Sequence, residues 1–148
     1  MSATINPKLI PAIVDTNIWI YSQDSDAGLN RTIAIHLLND LEANQYLVLT
    51  AQILNEVYSV LTRPRRSFGF TQTLAADFVR DMALACDVLP LTANTTVRAL
   101  EGVSRHSMSF WDALIWATAC EHGIKVVYSE DFQHGQELAG VRFINPFL

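Results

Sequence analysis

Short apolar runs alternate along the chain with longer segments whose apolar residues recur every three or four positions. The short runs are typical of buried strands, and the longer periodic segments are typical of helices with one buried face. The expected strands are residues 11–14, 46–49, 87–89, 124–128 and 141–144. The expected helices are residues 18–21, 29–41, 51–62, 72–85, 92–103 and 110–120. Strands that alternate with helices predict a three-layer α/β/α domain with a central parallel sheet of about five short strands.

One expected helix is apolar almost all the way round. Ser109 is a suitable N-cap for it and Gly123 a suitable C′ residue, and only Asp112 and Thr118 interrupt the apolar residues at 110–120. Such a helix is expected to be buried, where an isolated carboxylate would cost several kcal/mol or be protonated. Asp112 is therefore either the partner of Ser109 in a capping box or a ligand of a cation.

Further carboxylates are expected near Asp112. Asp15 follows the first strand and Asp131 the fourth, at the sheet edge where parallel α/β proteins bind ligands. Glu56 lies on the flank of the helix after the second strand, where it is equally consistent with an ordinary boundary glutamate. Carboxylates that converge in this way repel one another, and a hard cation such as Mg²⁺ or Mn²⁺ removes the conflict. The lack of paired cysteine and histidine ligands argues against zinc.

Composition and charge narrow the classes of protein. A chain of 148 residues that is 50% hydrophobic and 17% charged is suited to one domain with a substantial core. We expect residues 1–10 to be a lead-in and residues 11–148 to form that single domain. The net charge of −5 argues against a generic nucleic-acid binder, but Arg63, Arg65 and Arg66 form a locally basic segment around Pro64.

The sequence argues against a membrane segment, a signal peptide and a nucleotide cofactor. No apolar run is long enough to span a bilayer, and the first residues lack the core of a signal peptide, so a cytoplasmic protein without membrane contact is expected. Neither a P-loop nor a Gly-x-Gly-x-x-Gly turn is present, so a nucleotide cofactor has no support.

Four segments together resemble the PIN-domain family. They read Ile-Val-Asp-Thr-Asn-Ile-Trp at 13–19, Gln-Ile-Leu-Asn-Glu-Val-Tyr at 52–58, Ser-Phe-Trp-Asp-Ala-Leu-Ile at 109–115 and Ser-Glu-Asp-Phe at 129–132. The resemblance is strongest to the short VapC-type toxin nucleases of bacteria, and it covers almost the whole chain. It implies a Rossmann-like PIN fold and an endoribonuclease that depends on Mg²⁺ or Mn²⁺. It also implies a homodimer and a cognate antitoxin that blocks the site.

The resemblance also implies roles for individual residues. Its four acids, which are both catalytic and metal-binding, correspond to Asp15, Glu56, Asp112 and Asp131. Asp15 and Asp112 are expected to be direct ligands, while the other two complete the site or position water. The small polar residues that support the acids by hydrogen bonds correspond to Thr16, Asn17 and Ser129. Of the adjacent acids Glu130 and Asp131, we choose Asp131 as the one facing the metal. The candidates for contacts with RNA phosphates are Arg63, Arg65 and Arg66.

Two other functions remain open. A phospho-receiver domain also binds Mg²⁺ through acids, but it needs an aspartate that ends the third strand and a lysine after the fifth. Here Asp87 begins its strand and Lys125 precedes one, so this reading is disfavoured. The second alternative is a PIN-like protein-interaction module with weak or lost catalysis, and the presence of all four acids argues against it.

Overall fold

A six-stranded sheet forms the centre of the computed structural model, which describes residues 10–44, 46–64 and 69–148. The strands are β1 Ala12–Val14, β2 Leu47–Thr50, β3 Asp87–Leu89, β4 Val126–Tyr128, β5 Glu137–Leu138 and β6 Val141–Ile144. Their order across the sheet is β3-β2-β1-β4-β6-β5. All neighbours are parallel except β5 and β6, so the expected sheet of five parallel strands is confirmed and one short antiparallel strand is added.

The additional strand belongs to a tight hairpin that the sequence pattern did not reveal. Ala139 and Gly140 connect β5 to β6, and both have positive φ values, 50° and 80°. Positive φ at both central residues is the requirement of a type I′ hairpin turn. A strand of two residues is too short to show alternation of apolar and polar positions, which is why it escaped prediction.

Six helices cover the sheet in the described part of the chain. They are α1 Thr16–Gln23, α2 Leu29–Ala43, α3 Ala51–Leu61, α4 Gln72–Ala85, α5 Ala93–His106 and α6 Phe110–Glu121. Hydroxyl groups cap four of them, at Thr50, Thr71, Thr92 and Ser109. Helices α2, α1, α3 and α4 pack in a row against one another, and α5 packs against α6. Right-handed crossovers in this strand order put the two groups on opposite faces of the sheet, as the expected three-layer arrangement requires.

The core lies on both faces of the central strands, with Ile13, Val14, Leu49, Val127 and Phe143 almost fully buried. The strand order runs outward in opposite directions from β1 and β4, which makes the gap between their carboxyl ends the switch point of the sheet. Ligands of parallel α/β sheets bind at this place. The residues that immediately follow β1 and β4 therefore lie where a ligand is expected to bind.

Helix α6 is buried along most of its length but not at its start. Residues 113–119 are all buried, as expected. The side chain of Trp111, however, is 63% exposed, so the expectation of burial all round is wrong for the first turn. This first turn lies near the carboxyl ends of β1 and β4, where the layers of the fold end.

Two predictions from the sequence concern residues that the structure does not describe. Of the expected lead-in at 1–10 only residue 10 is described, so the domain division stays a prediction. Arg65 and Arg66 also lie outside the described residues. No helix among the described residues combines the length and the apolar character that a membrane crossing requires.

Candidate active site

Asp15 is the most deeply buried acid of the site. It follows β1 directly and caps α1, and only 4% of it is exposed. One carboxylate oxygen accepts a hydrogen bond from the Thr16 amide at 2.7 Å, and the other accepts one from the Ser129 hydroxyl at 2.8 Å. Burial raises the pKa of Asp15 from 3.8 to about 7, although these hydrogen bonds lower it. The carboxylates of Asp131 and Glu56 raise this pKa further.

Asp112 lies in the first turn of α6. Its backbone amide donates to the Ser109 hydroxyl at 3.2 Å, so Ser109 is the N-cap that the sequence predicted. Burial raises the pKa of the half-buried Asp112 carboxyl; the Ser109 hydroxyl lowers it, and the charges of Asp131 and Glu56 raise it. The side chain of Asp112 therefore lies in the field of the other acids, as the cation-ligand interpretation requires.

Asp131 completes the group from the loop after β4. Its amide donates to the Ser129 hydroxyl at 3.1 Å, so a single serine links it to Asp15. The Asn17 side-chain amide lies 3.5 Å from its carboxylate. Burial raises the pKa of Asp131, as do the neighbouring charges of Glu130 and Glu56. Glu130 instead accepts hydrogen bonds from the Tyr21 hydroxyl, at 2.8 and 3.1 Å.

Together these acids form a carboxylate cluster, consisting of Asp15, Asp112 and Asp131. One oxygen from each side chain lies within 4.8 Å of the others, close enough for one cation to contact all three. The cluster offers only carboxylate oxygens, which suit hard divalent cations such as Mg²⁺ and Mn²⁺ better than zinc, whose sites usually include cysteine or histidine. The pKa values of all three carboxyls are raised, first by burial and then by neighbouring carboxylates, and no cation is among the causes of these shifts. The residues present therefore fit a divalent metal.

Glu56 lies beside the carboxylate cluster, held by its own hydrogen bonds. The Thr16 hydroxyl donates to one of its carboxylate oxygens, and the Gln52 side-chain amide donates to the other at 2.8 Å. Glu56 thus reaches the site from the flank of α3, as expected. Because both of its oxygens already accept hydrogen bonds, its position suits the orientation of water or substrate better than direct coordination of the cation.

A groove of about 1170 Å³ opens over these acids. Its walls include α3 residues between Ala51 and Val60, Arg63 just after that helix, the segment after β3 with Pro90 and Leu91, and the start of α6 with Trp111. Of the three arginines expected at the substrate, Arg63 lies at this groove and is exposed. All four candidate acids, Asp15, Glu56, Asp112 and Asp131, line this groove.

Sequence reasoning missed two residues of the groove. Gln52 was quoted in a motif without a role, yet it is 6% exposed and bridges Glu56 to the Trp111 carbonyl at 3.0 Å. A polar residue on the buried face of α3, one turn before Glu56, was the available signal. Trp111 was assigned to the core, and its exposure could not be read from a helix that is apolar all round.

The comparisons with known proteins agree with this fold. The sequence model of the PIN domain matches residues 12–136, so the chain belongs to the PIN domain family. A search of curated proteins gave no match. Among solved structures, VapC20 of Mycobacterium tuberculosis, a sarcin-ricin loop cleaving toxin, has a TM-score of 0.61 at 22% identity; the match covers 78% of this chain and 86% of that one.

Two toxin–antitoxin structures are also similar in fold. VapBC2 from Rickettsia felis, bound to a DNA fragment from its promoter, has a TM-score of 0.65 at 12% identity, with 90% of this chain and 97% of the other covered. FitAcB from Neisseria gonorrhoeae has a TM-score of 0.68 at 16% identity, with 92% and 98% covered. At these identities the likeness concerns the fold.

Proposed function

We propose that this protein is an endoribonuclease that hydrolyses RNA phosphodiester bonds with Mg²⁺ or Mn²⁺ and serves as the toxin of a type II toxin–antitoxin pair. The observation that carries the proposal is the carboxylate cluster, which brings three acids from three separate elements within 4.8 Å at the floor of an open groove. Membership of the PIN domain family supports a nuclease. The structural similarity to VapC20, a sarcin-ricin loop cleaving toxin, supports RNA as the substrate.

The acids have distinct roles in this proposal. Asp15, Asp112 and Asp131 hold the cation, while Glu56, fixed by Thr16 and Gln52, orients water or substrate beside it. The chemistry that such a cation supplies is activation of water and neutralisation of charge on the phosphate. Ser129 orients two of the ligands at once, because its hydroxyl donates to Asp15 and accepts from the Asp131 amide.

Proton binding competes with cation binding at Asp15. Its pKa is raised to about 7, mainly by burial, and a carboxyl must lose its proton to coordinate a metal. At limiting Mg²⁺, cleavage should therefore increase as pH rises through about 7. Saturating Mg²⁺ should move the increase to lower pH, because the cation displaces the proton.

An antitoxin partner, a homodimer and a cytoplasmic location belong to the same proposal. The toxin–antitoxin structures from Rickettsia felis and Neisseria gonorrhoeae support the antitoxin partner through their shared fold. An antitoxin that covers the groove would deny RNA access to the acids on its floor.

The decisive experiment is metal-dependent cleavage of RNA by the purified protein. Wild type should cut total bacterial RNA with Mg²⁺ or Mn²⁺ and stop with EDTA, and Asp15→Asn or Asp112→Asn should abolish cutting while circular dichroism remains unchanged. Asp81→Asn is the matched control, because Asp81 is an exposed carboxylate of α4 away from the groove. Cutting that survives EDTA or either site variant would refute the metal-nuclease proposal. Stable, metal-binding protein that cuts no RNA would favour the interaction-module alternative.

A further inference from the structure

We infer that Trp111 is the platform on which one nucleobase of single-stranded RNA stacks beside the bond that is cut, an inference that rests on the proposed ribonuclease function. The indole is 63% exposed and lines the groove next to Asp112. The chain has three tryptophans, and the other two, Trp19 and Trp116, are only 7% and 2% exposed. Trp111 is thus the tryptophan whose ring is available to a ligand.

The position of this residue is fixed from two sides. Its ring meets the Phe110 ring edge to face, with the centroids 5.4 Å apart. Its carbonyl accepts a hydrogen bond from the Gln52 amide at 3.0 Å. The same amide group donates to Glu56 at 2.8 Å. A flipped Gln52 amide would place its oxygen against two acceptors, so both hydrogen bonds require the observed orientation.

The Gln52 side chain links Trp111 to Glu56 and so to the acids of the site. Gln52 is buried, and its own oxygen has no hydrogen-bond partner among the described residues. An unpaired buried oxygen destabilises the fold, and the two hydrogen bonds that the Gln52 amide group donates offset this cost. Glu56 and the Trp111 backbone are therefore held at a fixed separation, as a site needs if a stacked base is to place its phosphate over the carboxylate cluster.

The chemistry of the groove favours single-stranded nucleic acid as the occupant. An indole offers a face that stacks on any base, which a duplex hides within its own stack. Arg63 provides a cation in the lining of the same groove, and Asn55 and Ser59 add polar groups to it. A groove with a stacking face, a cation and a cluster that holds a metal complements a chain of bases and phosphates.

The test is a double-mutant cycle, in which a substitution of Trp111 is combined with removal of one base from the RNA. An RNA oligonucleotide that wild type cuts is resynthesised with one abasic nucleotide at each position next to the cut. In wild type, one position should lower kcat/KM about 5- to 150-fold, the range of one base–aromatic stack. Trp111→Ala should lower kcat/KM on the intact RNA by a similar factor and lose the penalty at that position. Trp111→Phe, which keeps a ring, should retain most of both.

The controls separate this inference from the proposed function. Leu84→Ala removes an even more exposed apolar side chain, on α4 and outside the groove, and should leave kcat/KM unchanged. If Trp111→Ala cuts intact RNA like wild type, or keeps the abasic penalty, the stacking inference is overturned while the ribonuclease function stands. If wild type cuts no RNA, both fail. If Trp111→Ala cuts RNA like wild type but no longer self-associates, the ring contacts another protein chain and the stacking inference is overturned.

Fluorescence gives a readout that does not depend on cutting. Acrylamide should quench mainly Trp111, because the other tryptophans are buried. Saturating single-stranded oligonucleotide, added with Mg²⁺ to Asp15→Asn protein and verified as bound by anisotropy, should protect this emission, and a duplex of the same sequence should not. Emission that remains quenchable in the bound complex would overturn the inference.

Discussion

Asp15→Asn should stabilise the metal-free protein at alkaline pH, although it destroys the proposed site. Asparagine has nearly the shape of aspartate, and its oxygen can still accept from the Thr16 amide. Its NH₂ group then faces the Ser129 hydroxyl, whose oxygen can accept. The substitution therefore removes a buried charge and keeps the hydrogen bond from Thr16, whereas the hydrogen bond to Ser129 is reversed and the Ser129 proton loses its acceptor.

The size of the effect follows from the pKa of Asp15. Burial raises this pKa from 3.8 to about 7, and each pH unit of that interval is worth 1.36 kcal/mol. The folded chain holds the proton more tightly than the unfolded chain, so folding stability is lost as pH rises from about 4 to about 7. The full loss is roughly 4 kcal/mol, of which roughly 2 kcal/mol falls between pH 5.5 and pH 8. Asp112 and Asp131 act in the same direction, because their pKa values are also raised by burial.

Urea unfolding at pH 5.5 and pH 8, with EDTA or Mg²⁺, measures this loss for wild type, Asp15→Asn and the control Asp81→Asn. In EDTA, Asp15→Asn should exceed wild type in free energy of unfolding at pH 8 and show a weaker pH dependence. Mg²⁺ at a hundredfold excess over its Kd should add about 2.7 kcal/mol to wild type and much less to the variant. If Asp15→Asn is less stable than wild type at pH 8 in EDTA, the reasoning about a buried, uncompensated carboxylate is refuted.

Three further substitutions test the surroundings of the cluster. Asp131→Asn should weaken Mg²⁺ binding measured by calorimetry, whereas Glu130→Gln should not; the reverse result would mean that the wrong one of the two adjacent acids was chosen. Gln52→Met should slow cutting about 10- to 100-fold while urea unfolding changes by less than about 1 kcal/mol, because the substitution removes an unpaired buried oxygen together with two hydrogen bonds. Arg63→Ala should lower the slope of log K for single-stranded RNA against log salt by about 0.7, and exposed Arg31→Ala should not; equal slopes would exclude a phosphate contact at Arg63.

The order of elements was determined by the sequence alone, because it depends on local patterns. The parallel strands are short and mainly apolar, and the helices repeat apolar residues every three or four positions, so periodicity located them without tertiary information, as the predicted cap at Ser109 did for α6. The sequence also indicated Asp15 and Asp131, since acids that follow parallel strands must reach the carboxyl edge of the sheet. Strand β5 was missed because two residues show no period.

The relation between side chains from different elements was decided only by the tertiary structure. At Asp112 a helix cap and a cation ligand require the same residue at the same helical position, and only the tertiary structure brings its carboxylate within 4.8 Å of those of Asp15 and Asp131. The exposure of Trp111 depends on where the layers end beside α6, and the bridge from Gln52 to Glu56 and Trp111 depends on how α3 approaches α6. Local patterns specify which face of a helix is apolar, but only packing specifies which neighbour that face meets and which side chains it leaves open.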